Sequence, residues 1–128
     1  MSDVTEKPHG EPALRTVAMP ADTNPAGDIF GGWLLSQMDL AGGIVSRWRA
    51  RGRTATVALD SMVFHKPVLV GDVVSCYAAV ERVGRTSITV HVHAWVERGD
   101  GETLHVTEGT FTYVAIGKDG RPRPVGPA

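Results

Sequence analysis

Residues 32–51 read Gly-Trp-Leu-Leu-Ser-Gln-Met-Asp-Leu-Ala-Gly-Gly-Ile-Val-Ser-Arg-Trp-Arg-Ala-Arg, and this stretch decides the fold. Leu34, Met38, Ala41, Val45 and Trp48 recur at helical spacing and predict one amphipathic helix over Gly32–Arg51. Gly52 is placed to cap its end. Arg47, Arg49, Arg51 and Arg53 cluster where cations complement the negative end of a helix dipole. A solvated helix terminus is the favoured account of them, ahead of a contact with ligand phosphates.

The rest of the chain reads as strands and loops. Upstream, Leu14–Met19 is a short strand stopped by Pro20, and Pro20–Gly32 is a loop rich in Pro, Gly, Asp and Asn. That loop is long for so small a domain, which makes it a place to look for function. Downstream, Thr54–Phe64, Asp72–Val83, Thr86–Arg98 and Thr103–Ile116 are β-branched or alternating. Thr86–Arg98 alternates most cleanly, with Ile88, Val90, Val92, Ala94 and Val96 on one face and Ser87, Thr89, His91, His93 and Trp95 on the other. In the last strand the apolar set changes parity around Gly109, where a bulge is expected. One early helix followed by four antiparallel strands gives an α+β domain whose sheet folds around the helix. The face bearing His91, His93 and Trp95 is then expected to need a partner subunit.

Composition narrows the function. The 128 residues suit one domain with a modest core that gains from association. A formal net charge of −1 argues against nucleic-acid binding. No apolar stretch approaches the length that crosses a bilayer, and the polar N-terminus has no hydrophobic signal core. The single cysteine, Cys76, lies on a strand face with Val74, Ala78 and Val80. It reads as a buried inert thiol in a reducing, cytoplasmic setting. Residues 1–12 and 125–128 have the composition of flexible ends around a domain at 13–124.

The familiar catalytic signatures are absent: no Gly-x-Ser-x-Gly elbow, no phosphate loop, no dinucleotide fingerprint. His91 and His93 share a strand face, but without a carboxylate or third ligand in view they make a poor metal site, and none is expected. His9 and His105 carry no pattern. Asp39 is the informative residue, because an acid in mid-helix has no capping role. Small residues, among them Gly32, Gly42, Gly43 and Ser46, fall near its side of the helix. Each mid-helix glycine costs about 1 kcal/mol relative to alanine. Close approach of another backbone or a ligand is the natural compensation; a solvent-facing aspartate beside packing glycines is the plain alternative. Gly31 and Gly32 expose N–H groups at the positive end of the helix, which suits an oxygen gaining negative charge in acyl transfer. Seven residues at 1.5 Å rise separate Gly32 from Asp39 by about 10 Å. A base and an oxyanion site for one carbonyl must both lie within about 3 Å of it, so they should come from different copies of the helix.

Several ordered motifs together resemble the bacterial YciA-type acyl-CoA thioesterases. They are Leu14-Arg15-Thr16-Val17-Ala18-Met19-Pro20, Asp22-Thr23-Asn24, Gly27-Asp28-Ile29-Phe30-Gly31-Gly32-Trp33 and Ser36-Gln37-Met38-Asp39, continued by Phe64-His65-Lys66-Pro67-Val68, Val70-Gly71-Asp72, Gly84-Arg85-Thr86-Ser87 and Phe111-Thr112-Tyr113. The resemblance implies a hotdog fold, an antiparallel sheet wrapped around one long central helix. It also implies dimers, commonly assembled into a trimer of dimers, and hydrolysis of acyl-CoA to free acid and CoA with no separate cofactor. It places the catalytic aspartate at Asp39 and a loop asparagine at Asn24; in related fused two-hotdog thioesterases these roles fall to different hotdog units. Asp39 would act as general base or as nucleophile, with the carbonyl polarised near Gly31 and Gly32. CoA and substrate would contact Phe64, Lys66 and Pro67 and the turn Gly84, Arg85, Thr86 and Ser87. An enoyl-CoA hydratase is a weaker reading, since Asn24–Asp39 holds no histidine. A non-catalytic acyl-CoA sensor is weaker too, since no DNA-binding module accompanies the domain.

Overall fold

The computed structural model describes residues 10–128; the first nine residues of the expected flexible N-terminal segment lie outside them. Strand β1 (Leu14–Val17) leads through a short turn of 3-10 helix at Pro20–Asp22 into helix α1 (Gly31–Ala50). Four strands follow: β2 (Thr54–Phe64), β3 (Val73–Val83), β4 (Ser87–Glu97) and β5 (Thr103–Ala115). They form one antiparallel sheet in the order β1-β3-β4-β5-β2, wrapped around α1 as the hotdog resemblance implies.

The helix packs along a single i, i+4 line. Leu34, Met38, Gly42, Ser46 and Ala50 are all buried, joined by Ala41. Such a row is inclined to the helix axis, so the buried stripe drifts around the helix toward its C-terminus. Trp48 lies off that row and is 70% exposed, not part of the apolar face as its spacing suggested. Against the helix lie Ile88, Val90, Val92, Ala94 and Val96, all buried, as the alternation of β4 requires.

Three local expectations are corrected. The parity change in β5 occurs at Val106: Ala94 pairs with Thr107 but Trp95 with His105, so Val106 is the extra residue. Gly109 is small for another reason, because a Cβ there would sit 2.6 Å from Met62 Cε, at the irregular crossing of β2. At the helix end the left-handed residue is Arg51, with φ of 55°, not Gly52. Gly52 instead leaves room for Arg123, whose Nη2 donates to the Ala50 carbonyl at 2.8 Å.

That contact begins a third correction. The segment 125–128, expected to be a flexible tail, is tied down. Val125 is buried and its N–H donates to the Arg85 carbonyl at 2.9 Å, while Arg49 donates to the carbonyls of Gly126 and Pro127.

The outer sheet face also differs from expectation. His105 and Trp95 are buried there, their rings 4.9 Å apart, and His93 stands 5.0 Å from His105. These rings cover one another within one chain. The exposed apolar surface is elsewhere: Val57, Leu59, Val63 and Phe64 on β2, and Leu40 and Trp48 on α1. Among the described residues strand β2 pairs only with β5, and nothing pairs with its other edge. No helix among the described residues is long and apolar enough to cross a membrane.

Deleting residues 123–128 removes a buried valine, a helix cap and several hydrogen bonds. We expect a loss of about 2–4 kcal/mol, read from the denaturant midpoint. An unchanged midpoint would show that the tail contributes nothing.

Candidate active site

Two places along α1 carry chemistry. The first is at mid-helix, where Asp39 is half-buried beside β2 and β5. Thr56 Oγ1 donates to Asp39 Oδ1 at 2.7 Å. The Tyr113 hydroxyl lies 3.1 Å from the same Oδ1 and 2.9 Å from the Asp39 backbone carbonyl, so its one proton is shared between two acceptors. Burial, reinforced by the Asp39 charge and hydrogen bond, pushes the Tyr113 phenol far above its ordinary pKa. Tyr113 therefore stays a donor. Asp39 Oδ2 makes no hydrogen bond among the described residues, which leaves it open to water or substrate.

The space beside Gly42 is filled by a side chain of the same chain, not by another backbone or a ligand. A Cβ at Gly42 would collide with the Tyr113 hydroxyl and sit 3.0 Å from Cζ. Thus the glycine that weakens the helix admits the group that holds its acid. Sequence reasoning missed both Thr56 and Tyr113. Thr56 is lost among other β-branched residues of β2, and Tyr113 follows the core periodicity of Phe111 and Ala115. The available signal was the phenol itself, which needs a hydrogen-bond partner when buried.

The second place is the N-terminus of α1. A cleft of about 330 Å³ is lined by the expected binding residues Gly31, Phe64, Lys66 and Pro67, together with Leu34 and others. The Phe64 ring lies 3.7 Å from where a Gly31 Cβ would be. Phe30 caps the helix with no side-chain hydrogen bond, and its ring folds over Gly32. The N–H groups of Gly31 and Gly32 make no backbone hydrogen bond among the described residues. They are the unsatisfied donors that a helix start offers to an anion.

Other expected residues fall elsewhere. Asn24 organises its own loop: Oδ1 accepts the N–H groups of Ala26 and Asp28 at 3.0 and 3.1 Å. Nothing joins it to Asp39. The turn Gly84–Ser87, closed by Gly84 N–H to the Ser87 carbonyl at 2.8 Å, lies at the opposite end of the sheet from the cleft. Thr86 accepts from Ala115, whereas Phe64 pairs with Thr107, and eight residues of strand separate these points by about 27 Å. Cys76 is buried and its thiol is pushed up to about 12, which makes it inert as a nucleophile.

His91 and His93 have both the carboxylate and the further imidazoles that the sequence did not bring into view: Glu108, His65 and His105. Burial and the neighbouring imidazoles hold His93 and His105 below the usual histidine pKa. Burial would raise Glu108, but hydrogen bonds from His65 and His91 bring it below the usual carboxylate range.

A family model described as the thioesterase superfamily matches residues 26–103. The acyl-CoA thioester hydrolase YciA of Salmonella typhimurium is 49% identical over 129 residues, covering 98% of this chain and 97% of the relative. Among solved structures, the hexameric thioesterase of Yersinia pestis superposes with a TM-score of 0.91 at 52% identity, over 95% of this chain and 100% of that one. A hexameric hotdog-fold thioesterase of Campylobacter jejuni has a TM-score of 0.87 at 48% identity, over 91% of each chain.

Gly42→Ala tests the wedge directly. It gains helix propensity of about 1 kcal/mol but drives the Tyr113 hydroxyl out of place, and a net loss of about 1–3 kcal/mol is expected in equilibrium unfolding. A net gain would mean that the hydroxyl moves aside without cost.

Proposed function

The chain belongs to the thioesterase superfamily, and from that premise we propose that it hydrolyses acyl-CoA thioesters to free acid and CoA in a site built by two copies. One observation carries this reading. The carboxylate of Asp39 is fixed through Oδ1 by Thr56 and Tyr113, with Oδ2 left free at mid-helix.

In the reaction, Asp39 Oδ2 takes a proton from water, and the water oxygen attacks the thioester carbonyl carbon. Negative charge grows on the carbonyl oxygen, which the N–H groups of Gly31 and Gly32 receive. The C–S bond then breaks, and the proton held by Asp39 passes to the departing sulfur. Tyr113 and Thr56 are positioning residues that keep the carboxylate aimed. The side-chain Nδ2 of Asn24, which makes no hydrogen bond among the described residues, is available to orient water or substrate.

Within one chain Asp39 is about 10 Å along the helix from the glycine N–H groups. The free edge of β2 supplies the missing half. If two β2 strands pair antiparallel about a two-fold axis near Asp60, Thr56 of one copy stands opposite Phe64 of the other. The cleft of one copy then meets the acid of its neighbour, and the exposed Val57, Leu59, Val63 and Phe64 are covered. CoA runs from that cleft, past Lys66, toward Arg85 of the partner subunit, whose turn lies at the Thr56 end of its own sheet. The hexameric relatives support assembly of three such dimers. A buried free thiol at Cys76 fits a cytoplasmic setting.

Asp39→Asn keeps the shape of the side chain and removes the base. Thiol release from acyl-CoA is expected to fall about 10²–10⁴-fold with circular dichroism unchanged. Full activity in this variant would remove Asp39 from the mechanism.

A further inference from the structure

We propose that the outer face of the sheet carries a site for a divalent transition metal of the zinc class, with Glu108 as its central ligand. Four of the five histidines in the chain, His65, His91, His93 and His105, converge there on one carboxylate. They come from three elements: His65 from the end of β2, His91 and His93 from β4, and His105 with Glu108 from β5.

The donors fall into two overlapping triads, His65–His105–Glu108 and His91–His93–Glu108, each with ligand atoms within 4.8 Å of one another. Bonds of about 2.0–2.1 Å in a tetrahedral zinc site put neighbouring ligand atoms about 3.3 Å apart. Glu108 Oε2 lies 3.1 Å from His65 Nε2 and 3.8 Å from His105 Nε2, and Oε1 lies 3.2 Å from His91 Nε2. The separations already bracket the ligated geometry. Each carboxylate oxygen serves one triad, so Glu108 can hold an ion in either or bridge an ion in each.

Hydrogen bonding alone suits this cluster poorly. His93 Nδ1 and His105 Nε2 face each other at 3.0 Å, where one proton at most can sit between them. His105 is 5% exposed, and its Nδ1 has no partner among the described residues. A cation accepts the lone pairs that these rings turn on one another. Imidazole and carboxylate without thiolate suit zinc, copper or nickel rather than calcium or magnesium. The ring of His91 is already oriented by a contact of 3.1 Å between Nδ1 and Thr110 Oγ1, an outer-shell partner of the kind that aims a ligating nitrogen. His65, His91 and Glu108 keep 28–30% of their side-chain surface open, so an ion has a way in. Through His65 the ion would also pin the segment from Phe64 to Pro67 that lines the cleft at the helix start.

The test uses the tag-free full-length chain, stripped with chelator and titrated with Zn²⁺, with Co²⁺ as the spectroscopic probe. The chain is expected to retain about one to two Zn²⁺ after desalting and to give the visible absorption of four-coordinate Co²⁺. Glu108→Gln should weaken Zn²⁺ binding by about tenfold or more with circular dichroism unchanged. His65→Ala and His91→Ala, at partly exposed positions, remain informative if a change at buried His105 prevents folding, and loss of binding in one of them assigns the triad. No retained Zn²⁺ in the wild-type chain overturns the proposal. So does an affinity that is the same in wild type, Glu108→Gln, His65→Ala and His91→Ala.

Discussion

The hydroxyl of Tyr113 rests against α1 at Gly42 and donates to Asp39 one turn away. This contact ties β5 to the middle of helix α1 and fixes the rotation of that helix over the sheet. A larger residue at position 42 would lift the helix, and without the tyrosine a buried glycine would leave a gap. Thr56 adds a second tether from β2, so the acid is held from two neighbouring strands. The proposed mechanism uses this rigidity, because a general base works only when its free oxygen is aimed.

On the proposed mechanism the same packing makes one chain incomplete. The i, i+4 row that buries Leu34, Met38 and Gly42 runs along the helix, so its N-terminal donors and its acid cannot reach one carbonyl. Meanwhile β2 has one unpaired edge among the described residues and exposes Val57, Leu59, Val63 and Phe64. An unpaired apolar edge strand is a liability unless it is covered. The proposed pairing with a second copy would resolve the chemistry and the exposure in one step.

Much of this was legible in the residues. The single helical period in 32–51 and the alternation in β4 carry the architecture, because each depends on spacing within one segment. Asp39 stood out because a mid-helix acid beside two glycines contradicts local propensity. What stayed hidden depends on contacts between segments far apart in sequence: Tyr113 and Thr56 on Asp39, Arg123 in the notch at Gly52, Val125 on Arg85, and Glu108 and His105 beside His91 and His93. The bulge was misplaced for a related reason. Gly109 explained the parity change in sequence, yet its smallness answers to Met62 on the neighbouring strand, and the extra residue is Val106.

The account rests on an acid from one copy serving a carbonyl held at the helix start of another, and subunit mixing tests that most directly. Asp39→Asn lacks the base, and Gly31→Leu fills the cleft. After dissociation and equal mixing, random pairing leaves one intact site in half of the dimers, and about a quarter of wild-type thiol release should return. Two inactive parents that exchange subunits, as shown by mass spectrometry, and still recover no activity would contradict a shared site.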